Sequence, residues 1–315
     1  MNDYVDHHYL PKFYLKLWAG DDKQVCRFSR PYGDKIVSER VSPKGTAYEE
    51  HLYSIHPPGG PPVPDMERDF MSKLDSEASD ALKLLKSNLV DSAWEPRLRS
   101  AWSRFVWAQN IRTPSEIAQT KSLVKETWDG ELPDLQRKFQ KFNVEGAPED
   151  IKDYLAIHDP CNEERLALSI ARQFMDHSGI GTIISNMHWK VLDFDGCGIP
   201  LLTSDRPVWM TTTLIESDAF LLMPIGPESL FVAARGRDTL HRIASQRRRQ
   251  QAKNVNKLIV QHAEKFVFGV NDLMGGFVRK HFATRRHSTH MERLAASRSQ
   301  RIVSKDSPLS ENESR

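Results

Sequence analysis

The chain has 315 residues and a mass of 36.1 kDa, enough to bury a sizeable core as one elaborate domain or two small ones. Its 44 Lys and Arg residues against 42 Asp and Glu leave a net charge of +2, so no global field selects nucleic acid, membrane or acidic substrates, and such a partner must be read from local patches. Cys26, Cys161 and Cys197 share no CxxC spacing, no apolar run nears the roughly 20 residues of a membrane helix, and the first residues lack a basic and then apolar leader; together these point to a reducing cytoplasm and away from a disulfide scaffold or zinc ribbon.

The opening stretch "VDHHYLPKFYLKLW", residues 5–18, joins two histidines to a dense aromatic set that would anchor the N-terminus. Residues 24–41 predict a hairpin around Pro31-Tyr32-Gly33-Asp34, because Gly and Asp tolerate the backbone angles of a turn. "HPPGGPPVPD" can continue neither helix nor strand and predicts a loop. From Asp65, the spacing of Met66, Phe70, Leu74, Ala78, Leu82, Leu85 and Leu89 predicts an amphipathic helix. Residues 96–111 predict a second, with Trp102, Phe105, Val106, Trp107 and Ile111 making it the central buried helix.

"TPSE", residues 113–116, has the form of a capping box, with Thr113 accepting from the N–H of Glu116 and the Glu116 carboxylate reaching back. The helix it starts runs to about Trp128, "ELPDLQRKFQKF" offers another, and "APED" marks a further start near residue 148. A long helical stretch follows over 162–187, weakened at Gly179 and Gly181. The period then changes: "HWKVLDF", "IPLLTS", "PVWMTT", "AFLLMPI" and "SLFVAAR" predict a four- or five-stranded antiparallel meander. A last helix over about 245–263 carries Val255, Leu258, Ile259 and Ala263 toward the core, and a basic, Ser-rich tail is expected to be disordered from residue 284.

The ordered set "HHYLPKFYLKLW", "EEHLY", "FVWAQNIRTP", "WKVL" and "TSDRPV" resembles the bacterial family called domain of unknown function 4238 over roughly residues 5–270. The resemblance falls on His8, Tyr9, Pro11, Glu50, Tyr53, Arg112, Ser204, Asp205 and Pro207. His7 and Arg206 depart from it, since the family more often has Gln or Lys before a single His-Tyr and Asn at the later position. It implies a domain extent and a shortlist of residues, and no mechanism.

Each shortlisted residue has two readings. His8 can serve as base, acid or metal ligand near neutral pH, or can bond a backbone group while Tyr9, Phe13, Tyr14, Leu17 and Trp18 pack the segment down. Asp205 can be a general base or metal ligand on a rigid loop, with Ser204 donating to a ligand, or the two can form a turn that satisfies backbone N–H groups. Ser204 lacks the GxSxG setting of a hydrolase nucleophile. Arg112 suits an anion clamp or, equally, a cation favoured at a helix C-terminus. Glu50 would add a second carboxylate. A divalent metal ion would need His7, His8, His51 and Asp205 to converge through the fold, since no HExxH or HxH spacing exists, and no nucleotide-binding glycine loop is present. Residues 235–249 hold six arginines against one aspartate, a density that can grip phosphates or form a solvated face.

The fold expected is α+β, one domain over residues 1–283. It comprises an N-terminal motif and hairpin (5–60), a helical body (65–187) packed on a C-terminal antiparallel β-meander (188–235), and a closing helix and strand (245–276), with 284–315 as tail. Two functions fit. The first is a hydrolase-like enzyme acting on a phosphate-containing substrate such as nucleic acid, with His8 and Asp205 as acid–base or ligand groups and Arg112 as clamp. The second is a non-catalytic module docking nucleic acid or an acidic protein through Arg247, Arg248 and Arg249.

Overall fold

Two four-stranded antiparallel sheets, a small two-stranded one and a helical body meet at one main core, seen in a computed structural model that describes residues 5–87, 94–142, 145–285 and 288–296. The fold class is α+β. At the N-terminus β1 (Asp6–His8) pairs with β4 (Tyr48–Glu50), and Pro11 opens α1 (Lys12–Leu15), which tightens into a 3₁₀ turn at Lys16–Trp18. The aromatic stretch is sewn to residues 200–224. The Tyr14 hydroxyl donates to the Pro224 carbonyl at 2.7 Å and meets the Thr203 hydroxyl at 2.7 Å, and Trp18 Nε1 donates to the Leu201 carbonyl at 2.8 Å. Buried aromatic rings thus keep their polar tips bonded, as burial requires.

The hairpin forms as expected, with β2 (Val25–Tyr32) and β3 (Lys35–Val41) joined by Gly33-Asp34, Gly33 taking φ +60°. The sheet runs β3-β2-β10-β6, where β10 is Phe266–Gly269 and β6 is Thr203–Ser204. The second sheet orders β5 (His188–Asp193), β9 (Ser229–Ala234), β8 (Phe220–Pro224) and β7 (Trp209–Met210) in antiparallel register. Sequential strands β7, β8 and β9 are neighbours, as a meander requires. The "IPLLTS" strand leaves that run for the hairpin sheet, because Thr203 and Ser204 pair with Phe268 and Val267, a contact with no local signal.

The helix starts at Asp65, passes through a turn of π-helix at Glu67–Met71 and continues as α2 (Ser72–Lys86), with Met66, Phe70, Leu74, Ala78, Leu82 and Leu85 buried. Leu89 lies outside the described residues. In α3 (Pro96–Ala108), Trp102, Phe105 and Val106 are wholly buried, and Trp102 meets Phe231 of β9 edge to face, joining the helical body to the sheet. α4 (Pro114–Phe142) is one continuous helix where two were expected. Pro133 removes one N–H, but it lies on the exposed side, where water can satisfy the freed carbonyl. α5 (Ile151–His158) follows the Asp150 cap, and the 162–187 stretch splits into α6 (Asn162–Met175) and α7 (Ser178–Ser185) at His177, whose ring nitrogen accepts the Ile180 N–H. Both glycines expected to weaken it lie within α7.

The C-terminal part adds α8 (Arg237–Ala244), α9 (Arg248–His262) and α10 (Gly275–His281). Two expectations are corrected here. Thr113 Oγ1 accepts the Glu116 N–H at 3.4 Å, but the Glu116 carboxylate does not reach back; it accepts the His290 N–H at 2.7 Å and the Met291 N–H at 3.5 Å. Residues 290–296, assigned to the disordered tail, are helical. Their start is a reciprocal capping box, Glu292 accepting the Thr289 N–H and Thr289 accepting the Glu292 N–H, with Met291 and Thr289 buried. The remainder of the tail, 297–315, lies outside the described residues.

Candidate functional site

Arg112 follows the end of α3, is 0 % exposed, and holds Asp75 of α2 in a fork, Nη1 to Oδ1 at 2.7 Å and Nη2 to Oδ2 at 3.1 Å. Nη2 also donates to the His8 carbonyl at 2.7 Å, and the Tyr53 hydroxyl donates to the Arg112 carbonyl. Burial works against this charge, but Asp75, Tyr53 and Glu67 more than offset it, so the guanidinium stays charged. Burial raises the Asp75 carboxyl while Arg112 pulls it back down. Arg112 therefore ties β1, α2 and the segment after β4 together. Around it, His7 stacks on Tyr53 at 5.5 Å and accepts the Tyr53 N–H at 2.9 Å, while His51 meets His7 edge to face at 6.3 Å. Glu67 lies within electrostatic reach of Arg112, Asp75 and Lys12; burial pushes its carboxyl up to about 7.

His8 is buried, with Nε2 3.1 Å from the Lys44 carbonyl and Nδ1 3.2 Å from that of Asp6. Burial, with Lys12 nearby, lowers its pKa to about 4, so at neutral pH it is an uncharged donor to the backbone. Asp205 is buried and accepts three successive N–H groups, Oδ1 from Glu264 at 2.9 Å and Oδ2 from Lys265 at 2.5 Å and Phe266 at 2.9 Å. Burial raises its carboxyl to about 6 against the pull of those three donors. The carboxylate thereby fixes the entry of β10 beside β6. Ser204 is fully buried, its hydroxyl exchanging hydrogen bonds with the backbone of Arg206, a local turn. Glu50 is exposed at the strand edge opposite Asp6. The structure brings the His8 backbone and Arg112 together, while the Asp205 carboxylate faces the start of β10. Among the described residues no group of three or more His, Cys, Asp or Glu side chains is arranged to hold a metal ion.

A pocket of about 370 Å³ opens beside the "TSDRP" loop, lined by Ser115, Gln119, Arg206, His262, Glu264 and Arg285 among others. Arg206 is held in its wall by Glu264, at 3.1 Å from Nη2, and by Ser115 at 2.9 Å. Glu264 in turn accepts from Ser115 at 2.8 Å. Sequence reading passed over Glu264 because nothing local marks an acid 58 residues away as the partner of Arg206.

The arginine-rich segment divides. Arg248 is partly buried and turned inward, donating to the Ala244 carbonyl at 2.9 Å and to Gln251 at 3.0 Å. Arg235, Arg237, Arg242, Arg247 and Arg249 are exposed and form no ion pair among the described residues. α9 carries no acidic residue, and its solvent face continues the charge through Lys253 and Lys257 at i, i+4 spacing from Arg249. Next to Lys257 stand Lys280 and His281 of α10, and burial together with these two lysines lowers the histidine's pKa.

No helix among the described residues is long and apolar enough to cross a membrane. Searches of curated proteins and of solved structures return no match. The order of elements that joins the "HHYLP", "EEHLY", "NIRTP" and "TSDRP" segments coincides with residues 6–272, which match the family model described as Protein of unknown function (DUF4238), and the chain belongs to that family.

Proposed function

We propose that the protein is a non-catalytic binding module that docks nucleic acid on the exposed face of α8 and α9. The observation that carries this reading is the run of arginines and lysines, Arg235, Arg237, Arg242, Arg247, Arg249, Lys253 and Lys257, left exposed without acidic partners. From Arg249 to Lys257 the stripe spans about 12 Å at 1.5 Å per residue, long enough to meet successive phosphates of one strand. Arg247 and Arg249 stand at the N-terminal end of α9, where cations oppose the helix dipole by roughly 0.3–1 kcal/mol each at low salt. An anion bound there reverses that sign, since both the dipole and the first-turn N–H groups favour negative charge. Gln250 and Asn254 lie on the same face and supply neutral hydrogen-bonding groups between the cations.

The hydrolase-like reading loses support because the side chains of His8, Ser204, Asp205 and Arg112 are all engaged with the chain itself. An acidic protein partner would use the same face and is the outcome to expect if nucleic acid fails. The deciding experiment is a salt series of binding to labelled duplex DNA and RNA and to single strands. Affinity should fall linearly on logarithmic axes, with a slope of roughly −0.9 per neutralised phosphate on duplex DNA. Arg247→Ala, Arg249→Ala and Lys253→Ala combined should make that slope shallower by about 2 to 3. An unchanged slope, or no binding to any of these nucleic acids, would reject the proposal.

A further inference from the structure

The pocket beside Arg206 plays no part in the nucleic-acid reading, although its volume of about 370 Å³ falls within the roughly 300–1,000 Å³ common for small-molecule sites. Four separate stretches of chain wall it: the first turns of α4, the loop after β6, the junction of α9 with β10, and the segment that follows α10. Ser115 and Gln119 stand four residues apart on α4 and so share the face it turns to the cavity. Ala263 and Ala283 add apolar surface.

A relay of hydrogen bonds fixes one side of the pocket. The buried Asp205 accepts the Glu264 N–H at 2.9 Å, and Glu264 Oε2 accepts from Ser115 Oγ at 2.8 Å, from Arg206 Nε at 3.2 Å and from Arg206 Nη2 at 3.1 Å. Ser115 Oγ also accepts from Arg206 Nη2 at 2.9 Å. The Arg206 side chain is thereby held at 13 % exposure with two of its three nitrogens committed. Its Nη1 makes no hydrogen bond among the described residues, and a guanidinium anchored along one edge presents the other with little ordering left to lose.

The rest of the wall leaves donors over. Arg285 is exposed and forms no ion pair among the described residues, and the half-buried Gln119 amide makes no hydrogen bond among them. Both acids of the wall are engaged, Glu264 with Arg206 and Ser115, and Glu292 with the Thr289 N–H at 2.8 Å at the head of its own helix. Burial, together with the charges of Arg285 and Arg206, keeps the His262 ring uncharged at neutral pH. Two guanidinium groups and one amide therefore remain for a ligand.

We propose that this pocket binds a small molecule carrying one anionic head, a carboxylate or phosphate, received by Arg285 and Arg206 Nη1, with Gln119 bonding a polar group beside the head and Ala263 and Ala283 covering an apolar body. The site is distinct from the basic face of α8 and α9. Arg247 and His262 stand at opposite ends of α9, about 20 Å apart at 1.5 Å per residue.

The test uses two probes that share a benzene ring and differ in the head, phenyl phosphate and benzoate, with uncharged benzamide as a third. Each is titrated into the full chain at constant ionic strength and followed by ¹H–¹⁵N spectra. Both anions should give saturable shifts centred on the backbone amides of Ser115, Gln119 and Arg206, with dissociation constants of about a millimolar or below. The tighter of the two assigns the head as phosphate or carboxylate. Benzamide should bind at least about fivefold more weakly, lacking the charge that the guanidinium groups receive. Arg285→Gln, at an exposed position where substitution spares the fold, should weaken the tighter anion by at least about fivefold. Gln119→Glu, which sets a like charge beside the head, should weaken it as much. Absence of saturable shifts with either anion, shifts centred on residues 247–253, benzamide binding as tightly as the anions, or undiminished affinity in Arg285→Gln or Gln119→Glu overturns the proposal.

Discussion

Arg112 and the arginines at 247–249 have the same chemistry, and from the sequence both suit the capture of an anion. In the fold they diverge. Arg112 is enclosed by α2, β1 and the segment after β4, with Asp75 and the His8 carbonyl occupying two of its three nitrogens. Arg247 and Arg249 stand in solvent on a helix with no acid of its own. A guanidinium enclosed with a carboxylate holds elements in place, and its loss leaves an uncompensated buried charge. One left in water without an acid contributes little to the fold and is available to a partner.

That contrast is open to attack, beginning where the effect is largest. Arg112→Leu should destabilise by about 3–5 kcal/mol, because it leaves Asp75 and the His8 carbonyl without their donor; urea unfolding measures it. A loss under about 1 kcal/mol would mean that Arg112 is not structural. Asp205→Ala should follow at about 3–4 kcal/mol, since the N–H groups of Glu264, Lys265 and Phe266 would lose their acceptor. His8 should make stability depend on pH. Its folded pKa is about 4 against 6.5 for the free group, so the unfolded chain takes up the proton first on acidification. The contribution is complete above 6.5 and is lost as pH falls toward 4, by up to about 3 kcal/mol. His8→Gln should show a correspondingly shallower acid decline, against an opposite trend from Glu67, whose raised pKa makes stability fall as pH rises toward 7. Tyr14→Phe removes the bond to the Pro224 carbonyl and the contact with Thr203, and should cost about 1–2 kcal/mol. At the small end, Arg247→Ala with Arg249→Ala should cost no stability and, at low salt, raise it by about 0.6–2 kcal/mol, because two cations opposing the α9 dipole are removed.

What could be read in advance follows the range of the interaction. The helix beginning at Asp65 and the buried α3 were legible because a period of 3.6 is local, and the hairpin was legible because Gly33 supplies the backbone its turn needs. The strand at Thr203–Ser204 was assigned to the wrong neighbours, since its pairing with β10 spans more than sixty residues and leaves no trace in its own composition. The capping boxes show the same limit. "TPSE" kept half of its box because the Glu116 carboxylate serves another helix, whereas "THME" at 289–292 forms the full reciprocal pair inside a segment whose polar composition masked it. At the site, Arg112 could be singled out from its position after an apolar helix. Its partner Asp75 lies 37 residues away on the polar face of another helix, and Glu67 looks like an ordinary acid of a first helical turn until the fold buries it.

The account rests on the exposed cations binding and the buried one holding the fold, and one variant tests this most directly. Arg247→Glu, Arg249→Glu and Lys253→Glu combined should be compared with the unaltered chain for duplex affinity at low salt and for melting temperature in the same buffer. The account predicts a loss of affinity of at least about a hundredfold, from the phosphate contacts reversed in sign, with the melting temperature unchanged within a few degrees. Equal affinity in the two proteins would contradict it.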